Sequence, residues 1–419
     1  MTWLGVVGFF AILAVAWGLS ENRRGVSWRL VASGVLLQFA LAITFLKFPP
    51  AVSLIQIGNR AANAIQAATE AGTGFVFGYL GGGPLPFSAI NPGASFVLAF
   101  NALPIVLVIS ALASLLFYWG IMQRVAGIFG WLFRRWMGIG GPLALGAAVH
   151  VFVGMVEAPL LLRPYLARMT RGELFALMSC GMAGVAGTVM IIYSQFLDAL
   201  IPNALGNILV ASVISTPAAL SLASLMIPSG SSTDEKQTHL TMESQPQSAL
   251  DALVKGTAAG IPVLIGIVAT LVVSIAIVAL INHALALLPL GSNGPITLQQ
   301  IFSYMFMPVL WLMGIPGQEL HAAAHLMATK TVLNEFVAYQ TFATLPADTF
   351  EPRSRLILSY ALCGFANFGS AGIMIGSLSI MLPERAAEVS RLGMFSIVSG
   401  TMATCMSGAL IGVLAGHTL

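Results

Sequence analysis

The chain has 419 residues, of which 58% are hydrophobic and only 8% are charged, and its formal net charge is +3. Its mean hydropathy of +0.91 excludes a soluble globular domain. So small a net charge says little about partners, and we expect no nucleic acid among them. Apolar stretches recur along the chain, each of the roughly 17–25 residues that a helix needs to cross a bilayer. The sequence therefore predicts an all-α, polytopic membrane protein.

The first two predicted spans, residues 3–19 and 28–48, enclose a basic loop. We interpret the first as a span because it lacks the basic leader and cleavage site of a signal peptide. Arg23, Arg24 and Arg29 lie in or next to the loop. By the positive-inside rule they place the loop in the cytoplasm and the N-terminus outside.

The chain is less apolar after the second span. Residues 51–82 predict an amphipathic interfacial helix on the outer side, and the segment GGGPLPFSAINPG then breaks the chain. A third span, residues 95–121, returns the chain to the cytoplasm. Polar sequence within residues 228–254 predicts a flexible cytoplasmic linker that divides the chain into two parts.

These two parts resemble each other. SCGMAGVAG (179–187) and LCGFANFGS (362–370) share a Cys-Gly-x-Ala core, and each follows a glutamate embedded in apolar sequence, Glu157 or Glu335. Counting spans gives the two units opposite orientations, which indicates an inverted repeat with its substrate site near the membrane midplane. Since ionisable residues at that depth are functional by default, the repeat predicts a site that contains both glutamates.

Glycine and proline interrupt the apolar sequence in both halves. Residues 140–165 and 314–320 each predict a re-entrant hairpin, because irregular backbone survives at membrane depth only where protein shields it or it lines a wet cavity. Further glycines predict helices that break within the membrane and offer their polar ends to a solute: Gly184, Gly187, Gly364, Gly369 and Gly372.

Other interpretations compete with a carrier. Glu157 is alternatively a structural acid paired with Arg163, and His321 and His325, four residues apart beside Glu319, have a spacing that suits a metal. No clear third ligand follows, so polar packing is favoured for the histidines. A channel does not need to alternate between two states, so the repeat favours a carrier. An enzyme needs a nucleophile or a metal constellation, which the sequence does not show. We therefore expect a carrier and no enzyme.

Three segments, in their order and spacing, resemble the concentrative nucleoside transporters: GMVEAPLLLRPYLARMTRGELFALM, KTVLNEFVAY and ALCGFANFGSAGIMIG. The resemblance covers nearly the whole chain. It implies a secondary active transporter of the bacterial inner membrane that imports nucleosides with a cation and forms a homotrimer. About eight transmembrane helices, two re-entrant hairpins and the interfacial helix are expected, with no cofactor beyond the coupling cation.

The resemblance also implies a transport domain that moves across the membrane, held by scaffold spans. The expected division has scaffold spans and the interfacial helix at 1–121, the first half of the transport domain at 122–227, the linker at 228–254, a scaffold span at 255–290 and the second half of the transport domain at 296–419.

Matched positions imply a site for the ribose. They are Glu335 on the second hairpin and Asn367 and Ser370 on the following broken helix. The chemistry of these side chains agrees, because a carboxylate, an amide and a hydroxyl supply the acceptors and donors that vicinal hydroxyls need.

The base end of the implied site departs from the family. Phe365 matches an aromatic residue beside the base and Val189 an apolar wall, while Glu157 matches the carboxylate of the first hairpin. Where the family usually has Gly-Gln-x-Glu, residues 154–157 read Gly-Met-Val-Glu. Met155 packs against a ring but cannot hydrogen-bond its edge well, so the preferred base is open and includes purines and modified bases.

The cation site departs more strongly. The Asn, Thr and Ser side chains that help to coordinate sodium in the family correspond to His150, Val156 and Gly184. Three oxygen ligands are lost, and imidazole replaces them poorly for a hard cation. We therefore expect proton coupling through His150 or Glu157, since imidazole titrates near physiological pH. Three alternatives stay open: a core histidine that only fills the vacated space, sodium held by backbone carbonyls, and a different ribose-containing or hydroxylated solute.

Overall fold

The computed structural model describes residues 2–88, 96–229, 246–287 and 296–415. Over these residues the chain forms helices and no strand, which confirms the predicted all-α class. Within the same residues, six helices counted across short breaks are long and apolar enough to span a membrane, and two shorter apolar helices accompany them. The expected total of about eight spans stays a prediction.

The N-terminal helices begin and end close to their predicted bounds. They are α1 (Thr2–Gly18), α2 (Trp28–Lys47) and α3 (Pro49–Phe77). Proline in the first turn of α3 starts this helix directly after α2, because proline fits a position whose N–H has no intrahelical partner. The segment predicted to lie at the interface is thus a single long helix.

The predicted third span is two helices. α4 covers Leu98–Asn101 and α5 covers Ile105–Tyr118, with Pro104 between them. Proline cannot donate the backbone hydrogen bond of a continuous helix, so the chain turns there. Residues 89–95, which hold the start of this span and part of the Gly/Pro cluster, lie outside the described residues.

The first half continues with a helical hairpin and a broken helix. Its elements are α6 (Ile121–Met137), α7 (Gly141–His150), α8 (Glu157–Leu161), α9 (Arg163–Leu166), α10 (Arg171–Ala183), α11 (Gly187–Leu197) and α12 (Ala204–Met226). A turn over 151–156 joins α7 to α8. α10 begins at a capping box in which the Thr170 side chain accepts from the Glu173 N–H and the Glu173 carboxylate accepts from the Thr170 N–H.

The second half repeats this order after the linker. Its elements are α13 (Ala249–Ala286), α14 (Leu298–Leu312), α15 (Leu320–Val332), α16 (Glu335–Thr344), α17 (Pro352–Leu362), α18 (Phe368–Met381) and α19 (Ala386–Leu414). α15 and α16 form the second hairpin, whose turn lies at 333–334. The prediction of a hairpin at 314–320 is therefore wrong, because this segment leads from α14 into the first arm. Gly314, before α15, has φ +93°, a left-handed conformation that favours glycine.

The helix predicted over 255–290 begins earlier, at Ala249. The Ser248 hydroxyl accepts a hydrogen bond from the Asp251 N–H at 3.1 Å, and this cap starts the helix within the segment predicted as linker. Residues 230–245, which hold most of the predicted linker, lie outside the described residues.

Both predicted helix breaks are present, at 184–186 and 363–367. Gly369 and Gly372, however, lie inside α18, so the prediction of a break there is wrong. Asn367 caps α18, and the helix restarts at Phe368 before either glycine is reached.

Two packing groups surround the broken helices. α12 and α19 are largely buried and pack together, with α1 and α2 against them. α5 and α13 pack mainly against each other, and most of the apolar surface of α13 is exposed. This arrangement leaves a cavity between α13 and the two hairpins.

Candidate functional site

A cavity of about 410 Å³ lies where the two hairpin turns, the broken helices and α13 meet. Its volume falls in the range of roughly 300–1000 Å³ that is usual for small-molecule sites. All seven residues predicted to bind substrate line it: Met155, Glu157, Val189, Glu335, Phe365, Asn367 and Ser370. The structure therefore brings both glutamates of the repeat to one cavity.

The residues predicted to take part in cation coupling lie partly outside the cavity wall. Val156 and Glu157 line it, whereas His150 and Gly184 are not among its lining residues. The His150 ring lies against Gly181 of α10, next to Met155.

Glu335 is fixed at the start of α16 by its neighbour. The Asn334 side chain accepts from the Val337 N–H at 2.9 Å and so caps this helix. Glu335 is thereby the first helical residue, where the helix dipole favours a carboxylate. It is only 4% exposed, and it faces the cavity.

Both carboxylate oxygens of Glu335 accept a hydrogen bond. The Tyr193 hydroxyl donates to Oε1 at 2.7 Å, and Asn367 Nδ2 donates to Oε2 at 2.8 Å. Each oxygen keeps a further lone pair, so the carboxylate can accept additional hydrogen bonds from a solute. The carboxylate is thus held in place without being saturated.

Asn367 joins the second hairpin to the second broken helix. While its Nδ2 donates to Glu335, its Oδ1 accepts from the Ser370 N–H at 2.7 Å. One amide therefore caps α18 and orients the carboxylate. Ser370 lies in the first turn of α18 and lines the cavity beside them.

Tyr193 was not predicted as a site residue. It is 2% exposed on α11, its ring lies 5.0 Å from that of Tyr339, and its hydroxyl is a partner of Glu335. A sequence signal does exist, because Tyr193 lies four residues after Val189 and so on the same helix face. Its apolar surroundings gave no further indication.

The wall formed by α13 was not predicted either. This helix contributes Pro262, Val263, Gly266, Ile267, Thr270 and Leu271 to the lining. Together with Met155, Val189 and Phe365 they make most of the cavity apolar. A solute with one polar end and one flat apolar end fits such a division.

Glu157 lies at the tip of the first hairpin. It is the first residue of α8, and a Cβ at position 154 would overlap its Oε2 atom. Only glycine at 154 therefore allows the carboxylate to fold over the turn. Glu157 lines the same cavity as Glu335, from the opposite half of the chain.

His150 ends α7 and is 4% exposed. Among the described residues its Nε2 atom has no hydrogen-bond partner, although the ring is buried. A buried polar nitrogen without a partner is costly, and such groups usually mark a function, an ion or a water molecule.

Two of the matched side chains offer no oxygen to a hard cation. Val156 and Gly184 carry no side-chain oxygen, as the sequence implied. The Gly184 carbonyl accepts from the Phe365 N–H, and the Phe152 carbonyl accepts from the Gly187 N–H, each at 3.2 Å. These backbone oxygens already have one partner each within the protein.

The histidine pair of α15 is not arranged as a metal site. Within the described part of the chain, no group of three His, Cys, Asp or Glu side chains could hold a metal ion. Glu319, beside His321, instead accepts a hydrogen bond from the Glu351 N–H at 2.9 Å. It thereby joins the start of α15 to the start of α17.

Two similar halves, each with a hairpin and a broken helix around a shared cavity, are typical of secondary transporters. Sequence models of a family described as Na+ dependent nucleoside transporter match residues 7–80 (N-terminus) and 207–412 (C-terminus), and one described as nucleoside recognition matches residues 99–200. The chain belongs to this family, the concentrative nucleoside transporters, whose members are transporters and not enzymes.

Relatives extend over the full length of the chain. The putative nucleoside permease NupX of Escherichia coli is 31% identical over 98% of both chains. The solved structure of CNTnw in an inward-facing substrate-bound state has a TM-score of 0.87 and 33% identity and covers 99% of each chain. A CNTnw variant in an outward-facing state also gives a TM-score of 0.87 at 33% identity, covering 100% of this chain and 98% of the other.

Proposed function

We propose that this protein imports nucleosides across the bacterial cytoplasmic membrane by proton symport. The cavity carries the proposal, because it combines a fixed carboxylate–amide–hydroxyl group at one end with an apolar wall elsewhere. A ribose suits the first part and a nucleobase the second. Inward- and outward-facing structures of the relative CNTnw support alternating access as the transport mechanism.

In this proposal Glu335, Asn367 and Ser370 bind the ribose. The free lone pairs of the Glu335 carboxylate accept from the vicinal hydroxyls, and the hydroxyl of Ser370 adds a group that both donates and accepts. Tyr193 holds the carboxylate from behind. Glu157 approaches the solute from the other half, directly or through water.

The base packs against Met155, Val189 and Phe365. None of these side chains reads the hydrogen-bonding edge of a base strongly, so shape and stacking select it. We therefore propose that both pyrimidine and purine nucleosides are substrates.

The coupling proton binds at His150, with Glu157 as the alternative carrier. The partnerless Nε2 atom of His150 supports this assignment, since a proton there makes the ring a donor as well as a buried cation. Sodium is the second candidate, favoured by the description of the matching family models as Na+ dependent. Sodium would have to rely mainly on oxygens other than the matched side chains, since Val156 and Gly184 carry no side-chain oxygen.

The proposed domain organisation and oligomeric state rest on similarity to the family. We propose that residues 122–227 and 296–419 form the moving transport domain, with scaffold elements at 1–121 and 255–290 joined by the cytoplasmic linker at 228–254. We further propose a homotrimer with each N-terminus outside. The exposed apolar surface of α13 supports a location for this helix against lipid or another subunit.

Uptake by purified protein in liposomes tests the proposal. Radiolabelled uridine and adenosine are offered under an imposed proton gradient or, in parallel, an imposed sodium gradient. We expect both to accumulate with protons alone, and protein-free liposomes serve as the control. Accumulation that needs sodium would overturn the proton assignment, and failure of both nucleosides under both gradients would mean a changed solute.

A further inference from the structure

Lys330 is a buried cation that the proposed mechanism does not use. It lies in the last turn of α15, the first arm of the second hairpin, and its side chain is 0% exposed. Burying an ammonium group is expensive unless its protons find acceptors. Its place therefore calls for an explanation.

The lysine joins three elements of the second half. Its Nζ atom donates to the Ala361 carbonyl at 2.7 Å and to the Thr404 hydroxyl at 3.1 Å. Ala361 lies in the last turn of α17, where the helix breaks and its final carbonyls lose their intrahelical partners. A positive charge there satisfies an orphan carbonyl and complements the negative end of the helix dipole.

The charge also acts on the substrate carboxylate. Lys330 ends the first arm of the hairpin and Glu335 begins the second arm five residues later, and both side chains are buried. With little water between them, a positive and a negative charge at this separation attract each other. The two direct partners of Glu335, Tyr193 and Asn367, are neutral. The lysine thus supplies a positive charge that those hydrogen bonds do not provide.

The first half has a different residue at the comparable place. The first arm of its hairpin, α7, also ends with a basic residue in its last turn, His150, which lies against α10 close to the break at 184–186. This histidine carries no permanent charge and leaves Nε2 without a partner among the described residues. The last turn of the first hairpin arm therefore carries a permanent positive charge in the second half and only a conditional one in the first.

We propose that Lys330 is a built-in cation. It has in the second half of the protein the role that the mobile coupling cation has in the first half. It positions Glu335 for the solute and closes the end of α17 in every state of the cycle. Only the first half then needs an ion from solution, so one cation moves with each nucleoside. The inference rests on the proposed function in one respect: the mobile cation binds near His150.

Replacing the charge tests the positioning role. Lys330→Gln keeps a donor but removes the charge, and we expect it to weaken uridine binding at least about tenfold, because Glu335 loses its counter-charge. Lys330→Arg restores the charge and is expected to recover most of the affinity. Thr331→Val is the matched control, since it removes a neighbouring buried hydroxyl whose hydrogen bond, within the described residues, goes to the Met327 carbonyl of its own helix.

The uridine affinity of each variant is measured by calorimetry, and the thermal midpoint and monodispersity of the same sample are measured as well. A merely structural lysine would lower the midpoint in both variants and leave the affinity of the folded protein unchanged. Equal uridine affinities for wild type and Lys330→Gln would overturn the positioning role.

The stoichiometry gives a second test that needs no variant. With the membrane potential clamped at zero, an imposed tenfold gradient of the coupling cation should support about tenfold accumulation of uridine, and about a hundredfold if two cations move. The hundredfold result would overturn the built-in cation. Driving by sodium instead of protons would refute the proposed coupling ion but leave both tests of Lys330 intact.

Discussion

Glu335 holds the central place among the residues of the proposed site. Its two oxygens each accept one hydrogen bond from a different element, α11 and α18, so its position depends on both halves of the fold. Two donors aimed at one side chain also restrict what can replace it. A glutamine amide can accept at only one of its two ends.

Glu335→Gln should weaken uridine binding by about a hundredfold, because its NH₂ group must face one of the two donors and can no longer accept from the ribose. In calorimetric titrations, a uridine analogue without the ribose hydroxyls should bind to wild type more weakly than uridine by a similar factor. The variant should bind uridine and the analogue with nearly the same affinity. Glu384→Gln, an exposed carboxylate remote from the cavity, is the control. Similar uridine affinities for Glu335→Gln and wild type would contradict the assignment.

Single residues show how far the sequence alone can lead. Glu157 and Glu335 were predictable because a carboxylate in apolar sequence is rare and costly. Tyr193 and Lys330 were not predicted, since each needs the tertiary contact to acquire its meaning. A tyrosine in an apolar helix is ordinary, and only its bond to Glu335 marks it.

Helix starts and ends at the site are determined by short polar caps. The glycines predicted that the helices break, whereas the restart points depend on asparagine: Asn334 starts α16 and Asn367 starts α18. Gly369 and Gly372 illustrate the limit, because glycine permits a break but does not require one. The contribution of α13 to the cavity was missed, since its sequence is apolar along most of its length.

Variants of two N-cap residues distinguish an effect on stability from an effect on uridine binding. Asn367→Ala and Thr170→Ala should each lower the stability of the protein by about 1 kcal/mol, the usual effect of losing an N-cap. Only Asn367→Ala also removes a donor to Glu335, so only this variant should weaken uridine binding, by about tenfold. Thermal midpoints and uridine titrations of both proteins check the pair. An equal loss of affinity in both would mean that the Asn367 effect is structural.

At the scale of the whole molecule, the repeat was the strongest signal in the sequence. Two Cys-Gly-x-Ala motifs, each after a glutamate, were enough to predict a shared site, and the cavity contains both glutamates. Agreement with CNTnw over 99% of both chains shows that the same architecture extends from end to end. The identity of the coupling ion is harder to predict from the sequence, because it depends on a few ligands rather than on the fold.

The proton carried with the nucleoside is the central claim, and calorimetry in buffers of different ionisation enthalpy tests it most directly. If His150 binds the coupling proton, uridine binding near neutral pH should take up protons, at most about one per uridine, so the measured enthalpy should vary with the buffer. His150→Asn should bind uridine without that variation. An enthalpy that is independent of the buffer, together with binding that requires sodium, would contradict the account.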